Sequence, residues 1–308
     1  MRRAEYFLDS SRDEHQIYTY KWEQTEEPKA IIQIVHGAGE YANRYDTFAK
    51  VLVSRGFVVY SHDHRGHGKS VKDNEQFGYF GEEDGFRTLV EDTYEVTKHI
   101  KEEYPEKKLF VLGHSMGSFV ARYFAILYSG KIDGLLVMGT GNNSAASLNI
   151  GIKVAETYIR THKGHKPNIL LDTLIFKAFD LNFIGDRGKN AWLSRDKDSR
   201  EEFNNDTYCG VKFTSYAFRD MFTGVKFVTD PENVAKIRKD LPIFMLSGDK
   251  DPVGGNGKMV KKAYDLYKNQ GIKFVKIKLY KDMRHEILNE IGKQEVYKDI
   301  IIWINRYV

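Results

Sequence analysis

Residues 109–120, Leu-Phe-Val-Leu-Gly-His-Ser-Met-Gly-Ser-Phe-Val, require a strand that turns directly into a helix. Leu109 to Leu112 form a short apolar run of the kind a buried parallel strand shows. From Ser118 to Tyr128, the apolar residues Phe119, Val120, Tyr123, Phe124 and Leu127 recur at helical spacing. Gly113 and Gly117 stand two residues either side of Ser115, where side chains would collide in so tight a bend. The serine is left at the tip, beside the unpaired N–H groups of a helix start, which favour negative charge. Gly-x-Ser-x-Gly alone is a weak pattern; the strand and helix signals on its flanks give it weight.

The rest of the chain supplies a frame for this elbow. Residues 5–8 and 15–22 alternate apolar and polar weakly and read as two antiparallel edge strands closed by Pro28. Residues 30–35 are a β-branched run that predicts a central strand, ending in the turn His36-Gly37-Ala38-Gly39-Glu40. A helix over 43–55, a strand over 57–60, a helix over 84–103 and a strand over 132–138 follow. Strand–helix alternation of this kind means a parallel sheet with helices on both faces. Between residues 140 and 237 the rhythm breaks. Helical patterns at 147–161 and 170–183 give way to a polar, aromatic-dotted stretch with no core strand. Alternation resumes with a strand at 241–246, a helix at 256–269, a strand at 273–280 and a helix near 293–305. The expectation is an α/β core of residues 1–139 and 238–308, interrupted by an inserted helical lid at 140–237. Open α/β sheets bind ligands at the carboxyl ends of their strands, the edge such a lid would cover.

A serine that transfers acyl groups needs a base, an acid to orient the base, and N–H donors for the oxyanion. Asp249 and Asp251 follow the strand at 241–246, and His285 follows the strand at 273–280, which gives the chain order Ser…Asp…His. Asp251 is favoured for the acid, because it lies in a turn before Pro252 and farther from the strand end; Asp249 stays open. One oxyanion donor is expected from the Met116 N–H, directly after Ser115. The other is expected from the glycine-rich turn, at Ala38.

Taken together, the turn at 36–40, the segment His62-Asp63-His64-Arg65-Gly66-His67-Gly68-Lys69-Ser70, the elbow, Asp251 and His285 resemble the monoglyceride lipase and lysophospholipase branch of the α/β-hydrolases. The resemblance implies the α/β-hydrolase fold, a triad of Ser115, Asp251 and His285, and an oxyanion hole from Ala38 and Met116. It also implies a small lipid-like ester as substrate, a monoacylglycerol or lysophospholipid, and no cofactor. Within the inserted segment, Trp192-Leu193-Ser194-Arg195-Asp196 and Tyr208-Cys209-Gly210 are similar to bacterial lysophospholipase-type relatives. Ser118 departs from the pattern, since these lipases commonly carry a second glycine there.

Other readings fit less well. Gly66-His67-Gly68-Lys69-Ser70 looks like the end of a phosphate-binding loop, but Asp63 stands where its first glycine is needed. His62, Asp63, His64 and His67 are close to a binuclear zinc pattern, but Gly66 stands where an aspartate is needed, so no metal is expected. Glu201, Glu202 and Asp206 are the carboxylates an aminopeptidase would offer to a substrate amine. A net charge of +4 without a long basic block excludes nucleic acid as the expected partner. The single cysteine, Cys209, permits no intrachain disulfide. With no long apolar run after Arg2 and Arg3, a cytoplasmic protein is expected. The stripe Leu170, Leu171, Leu174, Ile175, Ala178 and Phe179, broadened by Phe176 and Phe183, reads as a lid helix whose exposed part could guide a lipid or touch a membrane surface.

Overall fold

The computed structural model describes residues 1–308 except 25, 26, 74, 75 and 187, and describes 162 and 163 by their backbone alone. Eight strands form one sheet: β1 (Arg2–Asp9), β2 (Gln16–Glu23), β3 (Ile31–Val35), β4 (Val58–His62), β5 (Leu109–His114), β6 (Gly134–Met138), β7 (Ile243–Gly248) and β8 (Val275–Tyr280). Their spatial order is β1-β2-β4-β3-β5-β6-β7-β8. From β4 to β8 all pairings are parallel, while β2 pairs antiparallel with both β1 and β4. Of the two strands expected at an edge, β1 lies there, whereas β2 is interior because its other side bonds to β4.

Strand residues alternate between two apolar layers. Ile31, Val58, Tyr60, Leu109, Val111, Leu135, Val137, Ile243 and Met245 face one layer, with side chains of the helices Gly85–Glu103 and Met116–Tyr128. Ile32, Val59, Phe110, Leu112, Leu136, Met138, Phe244 and Leu246 face the other, with the helices Asp46–Val53 and Lys293–Ile304. Burial on both faces explains why β3 to β7 read as continuous apolar runs rather than alternating ones. It also brings the loops after β3, β5, β7 and β8 to one edge, where the carboxyl ends of parallel strands meet.

Among the described residues, the segment between β6 and β7 adds no strand to the sheet. It contains helices Ala145–Tyr158, Lys197–Asn205 and Ser215–Thr229, the last two in the stretch where sequence patterns showed no element. Ser215–Thr229 buries Ala217, Phe218, Val225 and Val228 in the same layer as the elbow helix. The stripe at 170–183 is not one straight helix. A short helix at Ile169–Asp172 widens into a π-helical turn at Thr173–Lys177 and ends in separate short turns. Among the described residues, no helix is long and apolar enough to cross a membrane.

Candidate active site

The elbow is as tight as its glycines imply. Ser115 sits at φ 53°, ψ −123°, a strained backbone for any residue with a side chain. A Cβ on Gly117 would lie 2.1 Å from the Val35 carbonyl oxygen, and one on Gly113 would lie 2.2 Å from the Gly117 carbonyl oxygen. The start of the elbow helix thus rests directly on the end of β3. The turn after β3 is equally close, since a Cβ on Gly37 would stand 3.0 Å from the Ser115 Cβ.

Within that turn the backbone donors are shared out. The Gly37 N–H donates to Glu40 Oε1 at 2.7 Å, and the Gly39 N–H to His67 Nε2 at 3.2 Å. Ala38 N–H, between them, has no acceptor among the described residues. Met116 N–H opens the elbow helix, where no intrahelical acceptor exists. The two N–H groups expected to face an oxyanion thus both lack an acceptor among the described residues.

The loops after β7 and β8 bring an acid and a base together. His285 Nδ1 lies 3.0 Å from Asp251 Oδ1. Asp251 is fully buried and also accepts from Ser247 Oγ at 2.9 Å and the Val253 N–H at 2.9 Å. Burial pushes its carboxyl up, but the adjacent His285 and these donors outweigh that, and its pKa lies below the ordinary value. Asp249 faces elsewhere, accepting the Asp282 N–H at 2.8 Å. Of the two aspartates left open by sequence, Asp251 is the one that touches His285. The other ring nitrogen, His285 Nε2, is buried without a partner. Ser115, His285 and the glycine-rich turn line one cavity of about 150 Å³. No hydrogen bond joins Ser115 to His285 here; such contacts often tighten only in the reacting complex.

Beneath the turn lies a charged cluster that sequence reasoning did not assemble. Arg44 binds Glu286 through both Nη atoms, at 2.5 and 2.8 Å, and Glu40 Oε2 at 2.9 Å. Glu40 Oε1 accepts from Tyr45 Oη at 2.8 Å and lies 3.1 Å from His114 Nδ1. His114 Nε2 lies 3.3 Å from the His285 carbonyl oxygen, which can only accept, so this nitrogen carries a hydrogen. With Glu40 at its other nitrogen, His114 is best satisfied as an imidazolium. Burial lowers its pKa, the Glu40 carboxylate raises it, and the net shift is upward. Two carboxylates and two cations then balance away from water, as buried charges must. His114 was visible only as the variable residue of the elbow. The partners Arg44 and Glu286 are 242 positions apart, so only the fold could join them.

The histidine-rich segment serves the turn. His36 Nδ1 lies 2.8 Å from the Gly37 carbonyl oxygen while its Nε2 accepts the His64 N–H at 2.9 Å. His67 Nδ1 bonds the Arg65 carbonyl at 2.9 Å, and burial lowers this imidazole to about 4. Both rings are thus committed at both nitrogens. Among the described residues no group of three or more His, Cys, Asp or Glu could hold a metal ion. Asp63 fills the space a phosphate would need: a Cβ on Gly68 would lie 2.2 Å from its Oδ2, which accepts the Lys69 N–H at 2.8 Å.

The cavity's outer wall comes from the inserted segment. Phe176, Trp192, Leu193, Phe203 and Val211 supply apolar surface, and Lys189, Asn190, Asn204 and Lys212 a polar side. Cys209 also lines it, and burial pushes its thiol pKa up, which disfavours a thiolate nucleophile. Glu202 and Asp206 line a separate surface groove, and Glu201 is exposed.

Known proteins are similar to this chain in sequence and in fold. A family model described as serine aminopeptidase, S33 matches residues 26–292. Rat (Rattus norvegicus) monoglyceride lipase is 25% identical over 305 residues, covering 96% of this chain and 88% of the relative. A monoacylglycerol lipase of Mycolicibacterium smegmatis is 24% identical, covering 96% and 98%. In structure, the chain superposes on a thermostable carboxyl esterase from Bacillus coagulans, solved with glycerol, with a TM-score of 0.92 and 28% identity, covering 100% and 99% of the two chains. A soluble variant of Saccharomyces cerevisiae monoglyceride lipase in complex with a substrate analogue superposes with a TM-score of 0.76 at 18% identity, covering 98% and 95%.

Proposed function

Because this chain belongs to the serine aminopeptidase S33 family of α/β-hydrolases and is an ester hydrolase resembling monoglyceride lipase, we propose that it cleaves monoacylglycerols or lysophospholipids through an acyl-enzyme on Ser115. The observation that carries this reading is the His285 ring, anchored to Asp251 at one nitrogen and unpartnered at the other, in the cavity that Ser115 lines. His285 takes the Ser115 proton as Oγ attacks the ester carbonyl. The Ala38 and Met116 N–H groups hold the tetrahedral oxyanion. His285 then passes the proton to the leaving alcohol, and water, activated by the same base, releases the acid. Asp251 keeps the ring in the tautomer this shuttle needs. No metal or organic cofactor enters the scheme.

Residues 140–237 act as a cap over the cavity, whose apolar wall suits an acyl chain. Leu170 and Leu174, 48% and 60% exposed, offer an apolar surface to dispersed lipid or a transient membrane contact. The single cysteine favours a reducing compartment, the cytoplasm, as its place of work.

A short-chain esterase is the second reading, favoured by the superposition on the Bacillus coagulans esterase. A peptidase is disfavoured by the cavity itself. Its carboxylates Glu40, Glu286 and Asp172 are already engaged, the first two by Arg44 and the third by Lys212, which leaves none for a substrate amine. The test is an ester panel from short nitrophenyl esters to monoacylglycerols and lysophospholipids. Turnover that rises with acyl length and is abolished in Ser115→Ala is expected. Activity confined to short esters would select the second reading.

A further inference from the structure

The inserted segment does not merely lie over the cavity; at one place it is bonded to the loop that carries His285. The Glu286 N–H donates to the Leu193 carbonyl at 2.7 Å, and the His285 N–H to the Trp192 carbonyl at 3.3 Å. The Trp192 ring packs against the His285 ring with centroids 5.0 Å apart. Arg284 reaches back to the Ala191 carbonyl at 2.5 Å and to Asp186 at 2.7 Å.

One buried carboxylate gathers this junction. Glu290, 1% exposed, accepts four N–H donors. Its Oε1 takes the backbone N–H groups of Arg284 at 3.0 Å and Arg195 at 2.9 Å; its Oε2 takes Arg195 Nε at 3.0 Å and the Ile291 N–H at 2.9 Å. Two donors come from the inserted segment and two from the histidine loop, one of them the residue immediately before His285. A carboxylate can accept at all these positions, and an amide of the same size cannot, because half of it is a donor.

We propose that Glu290 is a positioning residue for His285, holding the 191–196 strap and the histidine loop as one rigid unit so that the ring keeps its place between Asp251 and Ser115. The proposal rests on the reading of His285 as the base. Nothing in Glu290 touches the cavity, so its effect reaches the reaction through the loop alone. Displacement of a catalytic group by about 1 Å is enough to cost about 10²-fold in rate.

The experiment compares wild type, Glu290→Gln, Arg195→Ala and Ser115→Ala on a soluble short-chain nitrophenyl ester, with melting curves for each. Glu290→Gln is expected to lower kcat about 10- to 100-fold with KM changed less than about 2-fold. Arg195→Ala, which leaves three of the four donors on Glu290, should show the same changes at smaller size. Either variant, folded at the assay temperature but with wild-type kcat, or with its loss carried by KM instead of kcat, would reduce Glu290 to a structural residue and overturn the proposal. Should Glu290→Gln not fold, Arg195→Ala decides alone. Turnover surviving in Ser115→Ala would remove the reading beneath the proposal, an outcome separate from a silent Glu290→Gln.

Discussion

The floor and the roof of the cavity are held by different forces. The floor is polar and locked: Glu40, Arg44, His114 and Glu286 exchange charge-assisted bonds with almost no exposure. The outer roof is apolar and partly exposed: a broken helical run from Ile169 to Phe183 exposes Ile169, Leu170, Leu174 and Leu181. Between them the 191–196 strap belongs to the floor, through Glu290, although the chain places it in the insertion. A charged network has one satisfied geometry, which suits atoms that must hold a proton path. Apolar contacts are non-directional, which suits a surface that must admit chains of different shape.

Substitutions sort by side of this divide. The largest effect belongs to the base's anchor: Asp251→Asn should lower kcat about 10⁴-fold, by presenting the wrong tautomer of His285, with little change in the melting temperature. Steady-state kinetics beside a melting curve checks it. Next is the floor's stability. Glu286→Ala leaves Glu40 alone to balance both Arg44 and His114, an excess positive charge away from water, and should cost about 3–5 kcal/mol in urea unfolding. A loss below about 1 kcal/mol would mean that the network is hydrated and not locked.

A smaller effect follows from His114. Its folded pKa lies above the ordinary value of 6.5, so the folded state holds this proton more tightly than the unfolded chain does. Its contribution is therefore complete below 6.5 and is lost as pH rises through the folded value. Urea midpoints of wild type and His114→Gln should converge as pH climbs from 6 towards 9; a constant gap would contradict the imidazolium. The smallest effect belongs to the roof. Leu170→Ser with Leu174→Ser should leave stability within about 1 kcal/mol, since exposed positions seldom carry more. Activity on dispersed long-chain ester should fall several-fold more than on a soluble short ester. Equal losses would show that the roof does not recognise lipid.

The same divide marks what the sequence could tell. Strands and elbow were legible because burial on both faces writes apolar runs, and because Gly113 and Gly117 are forced by contacts near 2 Å. The helix Ser215–Thr229 was missed among aromatics. Thr214, whose hydroxyl caps Ala217 N–H, and the spacing of Ala217, Phe218, Met221, Val225 and Val228 were the available signal. The stripe at 170–183 read as a single helix because periodicity does not register a π-helical turn that shifts the face: Leu171 is buried while Leu170 and Leu174 are exposed. The floor network and Glu290 were invisible for another reason. Charged residues in loops read as solvated, and only the fold shows that Arg44 meets Glu286 or that Glu290 meets Arg195.

The most direct measurement is intact-mass labelling with a fluorophosphonate, wild type beside Ser115→Ala. One adduct per chain in the wild type and none in a folded Ser115→Ala is the predicted result. Labelling that persists in the variant, or a folded wild type that never labels, would contradict Ser115 as the nucleophile of an assembled site.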